Sequence, residues 1–475
     1  MSRLVWYRND LRMHYHRPLQ AAQAAGEDLR ALYLLCPDQW QEHGVAPLRQ
    51  WFVLASLQAL GESLAAAGIQ LDVIDCGDFK GVPKALEAYV KRHGIRHIHC
   101  TREYPLNEMT RDRAVAERLA GAGVEIHGVD DAVLVPPRAL KTGQGGWYTV
   151  FTPYRRSWEQ WLREHDVASV GRIRRGEAVT FPGSRVVEQA LSKLDVPAAL
   201  RQQWQPGEQA ARRQLARFVD DGLDDYQRQR DLPAESGTSG LSAALSTGTL
   251  SPAECFRAAR ERREQGSKGA DTWIGELAWR DFYRQIMAHF PRVSRGQPFR
   301  DDTGWVQWRH DQEDFQAWCE GRTGYPLVDA AMRQLQATGW MHNRLRMVSA
   351  MFLTKNLFID WRWGERWFMA HLVDGDFAAN NGGWQWSAST GTDAAPYFRV
   401  FNPVRQSQRF DPAGRFIARY VPELAHLDDK TIHEPWRQPL LAPDYPPRIV
   451  ALQGTRERVT AAFQAARDLA SQEQH

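Results

Sequence analysis

The sequence predicts a chain of two parts, an α/β doubly wound parallel sheet at the N-terminus followed by an all-α region. Two observations predict it. Up to about residue 130, short apolar runs alternate with amphipathic stretches, and beyond about residue 206 the apolar period is helical almost throughout. Length agrees, since 475 residues exceed what one hydrophobic core organises, and 43% hydrophobic content supports packed domains.

The apolar runs are LVWY (4–7), ALYLL (31–35), LDVI (71–74), IRHIHC (95–100) and VEIHGV (124–129). Between them lie helical patterns such as LASLQALGESLAAAG and LNEMTRDRAVAERLAGAG, the second closed by glycine. Strand alternating with helix implies crossover connections and a sheet covered on both faces. Residues 1–130 therefore form the α/β domain. Residues 131–205, rich in Pro, Gly and Arg, read as a connecting segment with short helices, and 206–475 as the helical domain. No G-x-G-x-x-G follows the first strand, so the dinucleotide fingerprint is missing there, although ligands of such sheets still sit at strand C-terminal ends.

Charge is nearly balanced, 60 basic against 57 acidic residues, so any contact with phosphates depends on clustering rather than on the total. Five cysteines lie far apart with no C-x-x-C pair, which points to neither a cysteine zinc site nor a disulfide framework, and no metal is expected. The start MSRLVWYRNDLR carries charge where a signal peptide needs an apolar run, and no segment approaches the ~20 apolar residues of a membrane span. A soluble, cytoplasmic protein with no membrane partner is expected.

Chemistry concentrates in the helical part. The segment DGDFAANNGGWQWSASTGTDAAPYFR (374–399) is too polar for a core and too aromatic for a solvent loop. In DTWIGELAWRDFYRQIMAHF (271–290), read as one helix, Trp273, Glu276, Trp279, Arg280 and Tyr283 share about a third of the circumference. That face is either an ordinary solvated surface over tucked tryptophans or the lining of a cavity. In WMHNRLRMVSAMFLTKNLF, Leu345, Val348 and Phe352 form an apolar stripe, while Asn343, Arg346 and Met347 share another side. A buried Arg346 needs an acid, with Asp374 and Asp376 the candidates, and the same pair could be purely structural. ESGTSGLSAALSTG (235–248) offers hydroxyls and amides where a helix begins, which suits a pyrophosphate and equally an N-cap. Eleven of the 19 tryptophans fall between 273 and 386, a density that asks for stacking or electron transfer.

Together these segments resemble the photolyase and cryptochrome family, specifically class I photolyases acting on cyclobutane pyrimidine dimers. The resemblance spans nearly the whole chain, from LVWYRNDLR through GRTGYPLVDAAMRQLQATGWMHNRLRMVSAMFLTKNLFIDWRWGERWF to DGDFAANNGGWQWSASTGTDAAPYFRVFNP. It implies an N-terminal antenna-binding domain and a helical domain holding FAD. It places Tyr226 and the run Thr238, Ser239, Gly240, Leu241 and Ser242 around the FAD phosphates. Trp273, Glu276, Arg280, Asn343 and Arg346 would line the cavity. Asp374, Gly375 and Asp376 would lie near sugar and isoalloxazine, with Asn380 facing the flavin N5. Gly240 departs from the basic side chain common in relatives.

Trp384, Trp361 and Trp308 match the family's photoreduction chain. The resemblance further implies that excited, reduced FAD gives an electron to a flipped-out dimer, which splits and returns it. Trp279 and Trp386 would stack on the dimer, Glu276 would hydrogen-bond its base edge, and Met347 would pack beside it. Arg230, Asn343, Arg344, Arg399 and Gln406 match positions that touch the lesion or its DNA. Catalytic roles thus fall to Glu276, Asn380, Trp308, Trp361 and Trp384. His43, Asn107 and Glu108 fit a methenyltetrahydrofolate antenna, with 8-hydroxy-deazaflavin as the alternative. UV-damaged DNA is the implied partner and a monomer the implied state.

Three rivals differ in class. A cryptochrome photoreceptor usually adds a long tail, whereas little follows the helical domain here. A (6-4) photolyase needs two histidines at places held by Asn343 and Met347. A helical interaction scaffold would leave the basic rim and both stacking tryptophans as coincidences.

Overall fold

A computed structural model describes residues 2–24, 28–167 and 173–473. All five named strands among them precede residue 130: β1 (Ser2–Tyr7), β2 (Leu29–Leu35), β3 (Gln70–Asp75), β4 (Ile95–Thr101) and β5 (Glu125–Val129). They form one parallel sheet in the order β3-β2-β1-β4-β5. This is the doubly wound sheet expected from the alternating runs.

Strand alternation sorts the side chains into two cores. Val5, Tyr7, Ala31, Tyr33, Leu35, Leu71 and Val73 pack with Leu54, Leu57 and Leu64 of the helix Pro47–Ala66. Leu4, Trp6, Leu32 and Leu34 face the other way and meet Leu86 and Val90 of the helix Val82–His93 and Val115 of the helix Leu106–Leu119. The inner strands β1 and β2 are buried on both faces, which is why they read as continuous apolar runs. By contrast β5, at the sheet edge, is only partly covered.

The described chain divides into two compact units. The first comprises Met1–Gln227, Ser239–Pro291 and Val373–Ala378, and the second Arg228–Thr238, Arg292–Leu372 and Ala379–His475. The segments expected from sequence follow the change of apolar period, whereas these units follow packing. Within the interval 131–205, the helix Phe151–Glu164 runs 14 residues, longer than the short helices expected there. Its buried Phe151, Tyr154, Trp158 and Leu162 recur at helical spacing and give it a face to bury despite the flanking glycines and prolines.

Secondary structure in the second unit is helical, with Pro326–Thr338, Asn343–Met351 and Trp361–His371 packed around one core that includes Trp318, Phe352 and Trp384. The expected stripe of Leu345, Val348 and Phe352 is fully buried in it. A π-helical turn, Phe352–Asn356, continues the helix Asn343–Met351.

Candidate functional site

The first unit carries the helix Lys268–His289, one turn longer at its start than the pattern indicated, because the Ser267 side chain caps it by accepting from the Ala270 N–H at 3.2 Å. Buried Asp281 anchors the helix by accepting from the Leu134 and Val135 amides and from Trp158 Nε1 at 2.8, 3.1 and 3.0 Å. Trp273 is buried and tilted against Phe218, which also meets Tyr226 edge-on, so the structure brings Tyr226 and Trp273 together. Trp279 lies flat on Phe151, with ring centroids 3.6 Å apart and planes 7° apart, so one face of the indole is covered. Glu276, on the same helix, is half-buried.

Arginines of this helix and of the helix Pro47–Ala66 gather around the segment that carries Asp376. Arg280 donates to the carbonyls of Ala132 and Leu245, and Arg284 donates to Asp376. Arg49 donates to Ser246 Oγ at 2.8 Å and to the Val373 carbonyl at 3.2 Å, which fixes the segment carrying Asp374, Gly375 and Asp376. Asp376, one of the two acids expected as candidates for Arg346, forms an ion pair with Arg284, a residue not among the expected ones. Arg284 sits one turn beyond Arg280, a signal that helical spacing contained. Burial, reinforced by the neighbouring Arg284 charge, lowers Arg280 to about 10. Arg284 Nη1 is buried and finds no protein acceptor. Guanidinium groups held this way suit an additional anion, which a phosphorylated cofactor such as FAD provides.

Ser239 accepts through its carbonyl from Gln214 Nε2 at 2.9 Å, and its hydroxyl accepts from the Leu241 amide at 3.4 Å. Gly240 between them has a φ of +64°, a left-handed conformation that glycine adopts without steric cost. Ser242 opens the helix Ser242–Thr247.

Near the sheet's C-terminal end, Asn107 Nδ2 lies 3.0 Å from His43 Nε2, so two of the three antenna candidates meet. Burial, followed by the Glu103 carboxylate, raises the third, Glu108, to about 7. Arg8 and Arg111 pair with Glu103 and Asp112 close by, a ligand-sized concentration of charge where such sheets bind ligands.

In the second unit, the helix Asn343–Met351 is capped by the buried His342, whose Nδ1 accepts from the Arg344 amide at 3.2 Å. Burial pushes His342 down to about 4, which keeps that nitrogen free to accept. Asn343 is exposed, Arg346 and Met347 are half-buried, and Arg346 Nε donates to the Met341 carbonyl at 2.8 Å. Arg344 and Arg230 converge on Asp231, at 2.9 and 3.9 Å. Arg344 also lies over Phe410, at the end of the helix Pro403–Phe410 that bears Gln406. Arg399 is exposed and lies 5.7 Å from the Phe401 ring. Thr238 is half-buried in this unit.

The polar and aromatic segment 374–399 contains the helix Phe377–Ala388. Asn380 Nδ2 donates to the Glu365 carbonyl at 3.0 Å, and Asn381 Nδ2 donates to Glu365 Oε1 at 2.7 Å. The buried Glu365 carboxyl is raised to about 7 by desolvation. A methyl group at Gly383 would meet no atom within 4 Å, so this backbone leaves room for a flat ligand. Trp384 is buried edge-on to Trp318 and Phe368, whereas Trp386 is half-buried. Trp361 is fully buried, and Trp308 is half-buried against Phe358. Gly364, which the sequence reading missed, lets Trp384 lie against the helix Trp361–His371, since a methyl there would fall 2.0 Å from the indole.

Two family models match this chain: DNA photolyase over residues 3–170, and the FAD binding domain of DNA photolyase over residues 273–465. The chain belongs to the DNA photolyase family. The deoxyribodipyrimidine photo-lyase of Salmonella typhimurium is 44% identical over 98% of this chain and 99% of its own. The crystal structure of a class III photolyase from Agrobacterium tumefaciens superposes with a TM-score of 0.88 at 34% identity, covering 98% of both chains. A Synechocystis cryptochrome gives a TM-score of 0.84 at 29% identity, covering 97% of this chain and 99% of its own. Fold alone therefore does not separate enzyme from photoreceptor. Among the described residues, no helix of this photolyase-family chain is long and apolar enough to cross a membrane.

Proposed function

We propose that this chain is a deoxyribodipyrimidine photo-lyase of class I, an FAD enzyme that splits cyclobutane pyrimidine dimers in UV-damaged DNA under light. The observation that carries this reading is the likeness to deoxyribodipyrimidine photo-lyases along nearly the full length of both chains. FAD, when bound and reduced, supplies the light-driven electron. The chain's own residues position the reactants. Tyr226, Thr238, Ser239, Gly240, Leu241, Ser242, Trp273, Glu276, Arg280, Asn343, Arg346, Asp374, Gly375, Asp376 and Asn380 hold the cofactor, and the buried arginines beside Asp376 favour its anionic part.

A dimer stacks poorly, so turning it out of the duplex costs at most the few kcal/mol of unstacking, about what ordinary flipping requires or less. Trp279 stacks on it, and Trp386 supplies a second flat surface. Glu276 hydrogen-bonds the base edge, with Asn343 and Met347 beside it. Arg230, Arg344, Arg399 and Gln406 meet the DNA around the lesion and set its register. Trp308, Trp361 and Trp384 pass an electron inward from the surface. The α/β domain, 1–130, holds an antenna, methenyltetrahydrofolate by the His43 and Asn107 pairing and Glu108, with 8-hydroxy-deazaflavin as the alternative. The enzyme works as a cytoplasmic monomer, its helical domain spanning 206–475.

Expression in a bacterial strain lacking its own photolyase tests the proposal. Survival after UV irradiation should rise under blue light and stay unchanged in darkness, and denaturation of the purified protein should release FAD. Bound FAD without light-dependent survival would move the chain to the photoreceptor class.

A further inference from the structure

We propose that the edge of the N-terminal sheet binds a divalent transition-metal ion of the zinc class through His97 Nδ1, Glu125 Oε2 and His127 Nε2. None of these residues takes part in the flavin, DNA or antenna sites described above. They lie in the same unit as the sheet, so their relative placement follows from strand register alone. In the parallel pairing of β4 with β5, His97 stands opposite Glu125 and His99 opposite His127. Residues two apart on a strand share a face, so all four side chains project from one side of the sheet.

Three donor atoms converge there. His97 Nδ1 lies 3.2 Å from His127 Nε2 and 3.4 Å from Glu125 Oε2. His127 Nε2 lies 3.5 Å from the same carboxylate oxygen. A tetrahedral ion with bonds of about 2.0–2.1 Å needs donors separated by roughly 3.4 Å, so the triangle already has the size of one face of such a site. Among the described residues, this is the group of histidine, cysteine and carboxylate donors that meets at one point. The set of two imidazoles and one carboxylate, without thiolate, selects zinc and its neighbours over calcium or magnesium.

Neighbouring groups hold the ligands in place. His99 stacks on His127 with centroids 4.7 Å apart and planes 20° apart, and Arg3 Nη1 lies 3.2 Å from His99 Nε2. A guanidinium can only donate, so His99 Nε2 accepts, and its ring is fixed from the side away from the ion. The His97, Glu125 and His127 side chains are 21%, 68% and 40% exposed, which gives the ion a path in and leaves the fourth position to water. An ion here would tie the edge strand β5 to β4 and protect an open sheet edge. The cysteine spacing pointed away from zinc, and the ligands are spread over IRHIHC and VEIHGV, so only the register brings them together.

The full-length flavoprotein, stripped with a chelator and dialysed, is titrated with Zn(II) against a chromogenic chelator while its melting temperature is followed. One Zn(II) per chain should bind and raise the melting temperature. The exposed Glu125→Gln and the ligand change His127→Gln should each weaken binding by at least about tenfold. Should His127→Gln fail to fold, Glu125→Gln alone decides. The proposal is overturned if the wild-type chain takes up no Zn(II), or if Glu125→Gln binds it as tightly as wild type.

Discussion

At the scale of single residues, two glycines make opposite demands. Adding a methyl at Gly364 drives it into the Trp384 indole, so Gly364→Ala should cost roughly 1–3 kcal/mol, measured as a lower urea midpoint. Gly383 has open space around it, and alanine favours helix over glycine by about 0.5–1 kcal/mol. Gly383→Ala should therefore stabilise the flavin-free chain while weakening flavin affinity; unchanged affinity would mean that no cofactor approaches this turn. Trp384→Phe should slow photoreduction and spare repair by chemically reduced enzyme, and equal loss in both assays would contradict the separate roles given to Trp384 and Glu276.

Glu365 gives a pH dependence at the same scale. Its folded value, about 7, lies above the ordinary 4.5 because burial penalises the carboxylate. Between those values the folded chain keeps a proton that the unfolded chain has released, so this group's contribution to stability falls as pH rises through the window. Glu365→Gln keeps a partner for Asn381 without the charge. Its melting temperature relative to wild type should be higher at pH 8 than at pH 5, and a difference independent of pH would contradict the raised value of this carboxyl in the folded chain.

At the scale of elements, the sequence revealed most where the apolar period is strong. All five strands were legible within two residues: β1 and β2, buried on both faces, read as unbroken apolar runs, while β3 alternates between buried and partly covered side chains. Local pattern also located the Lys268–His289 helix but not its start, which the Ser267 cap sets; Ser267→Ala should cost about 1 kcal/mol in denaturant unfolding. What could not be read was partnership across distance. Asp376 finds Arg284, Asp281 finds the Leu134 and Val135 amides, and His97 finds His127, each pairing remote in sequence. Residue type announces that a buried charge needs a partner, whereas only folding says which one.

For the molecule as a whole, two compact units interleave along the chain, and the helix Phe377–Ala388 carries residues of both. Residue order alone could not reveal that division, since the apolar period is helical on either side of each boundary. The helical segments nevertheless carried the resemblance to flavin-dependent repair enzymes, which the family matches bear out. The most direct test uses purified, reduced, flavin-loaded protein and an oligothymidylate bearing cyclobutane dimers, counted by chromatography before and after blue illumination. The dimers should disappear with light and persist in darkness; dimers that survive illumination in the presence of bound, reduced flavin would contradict the enzyme reading.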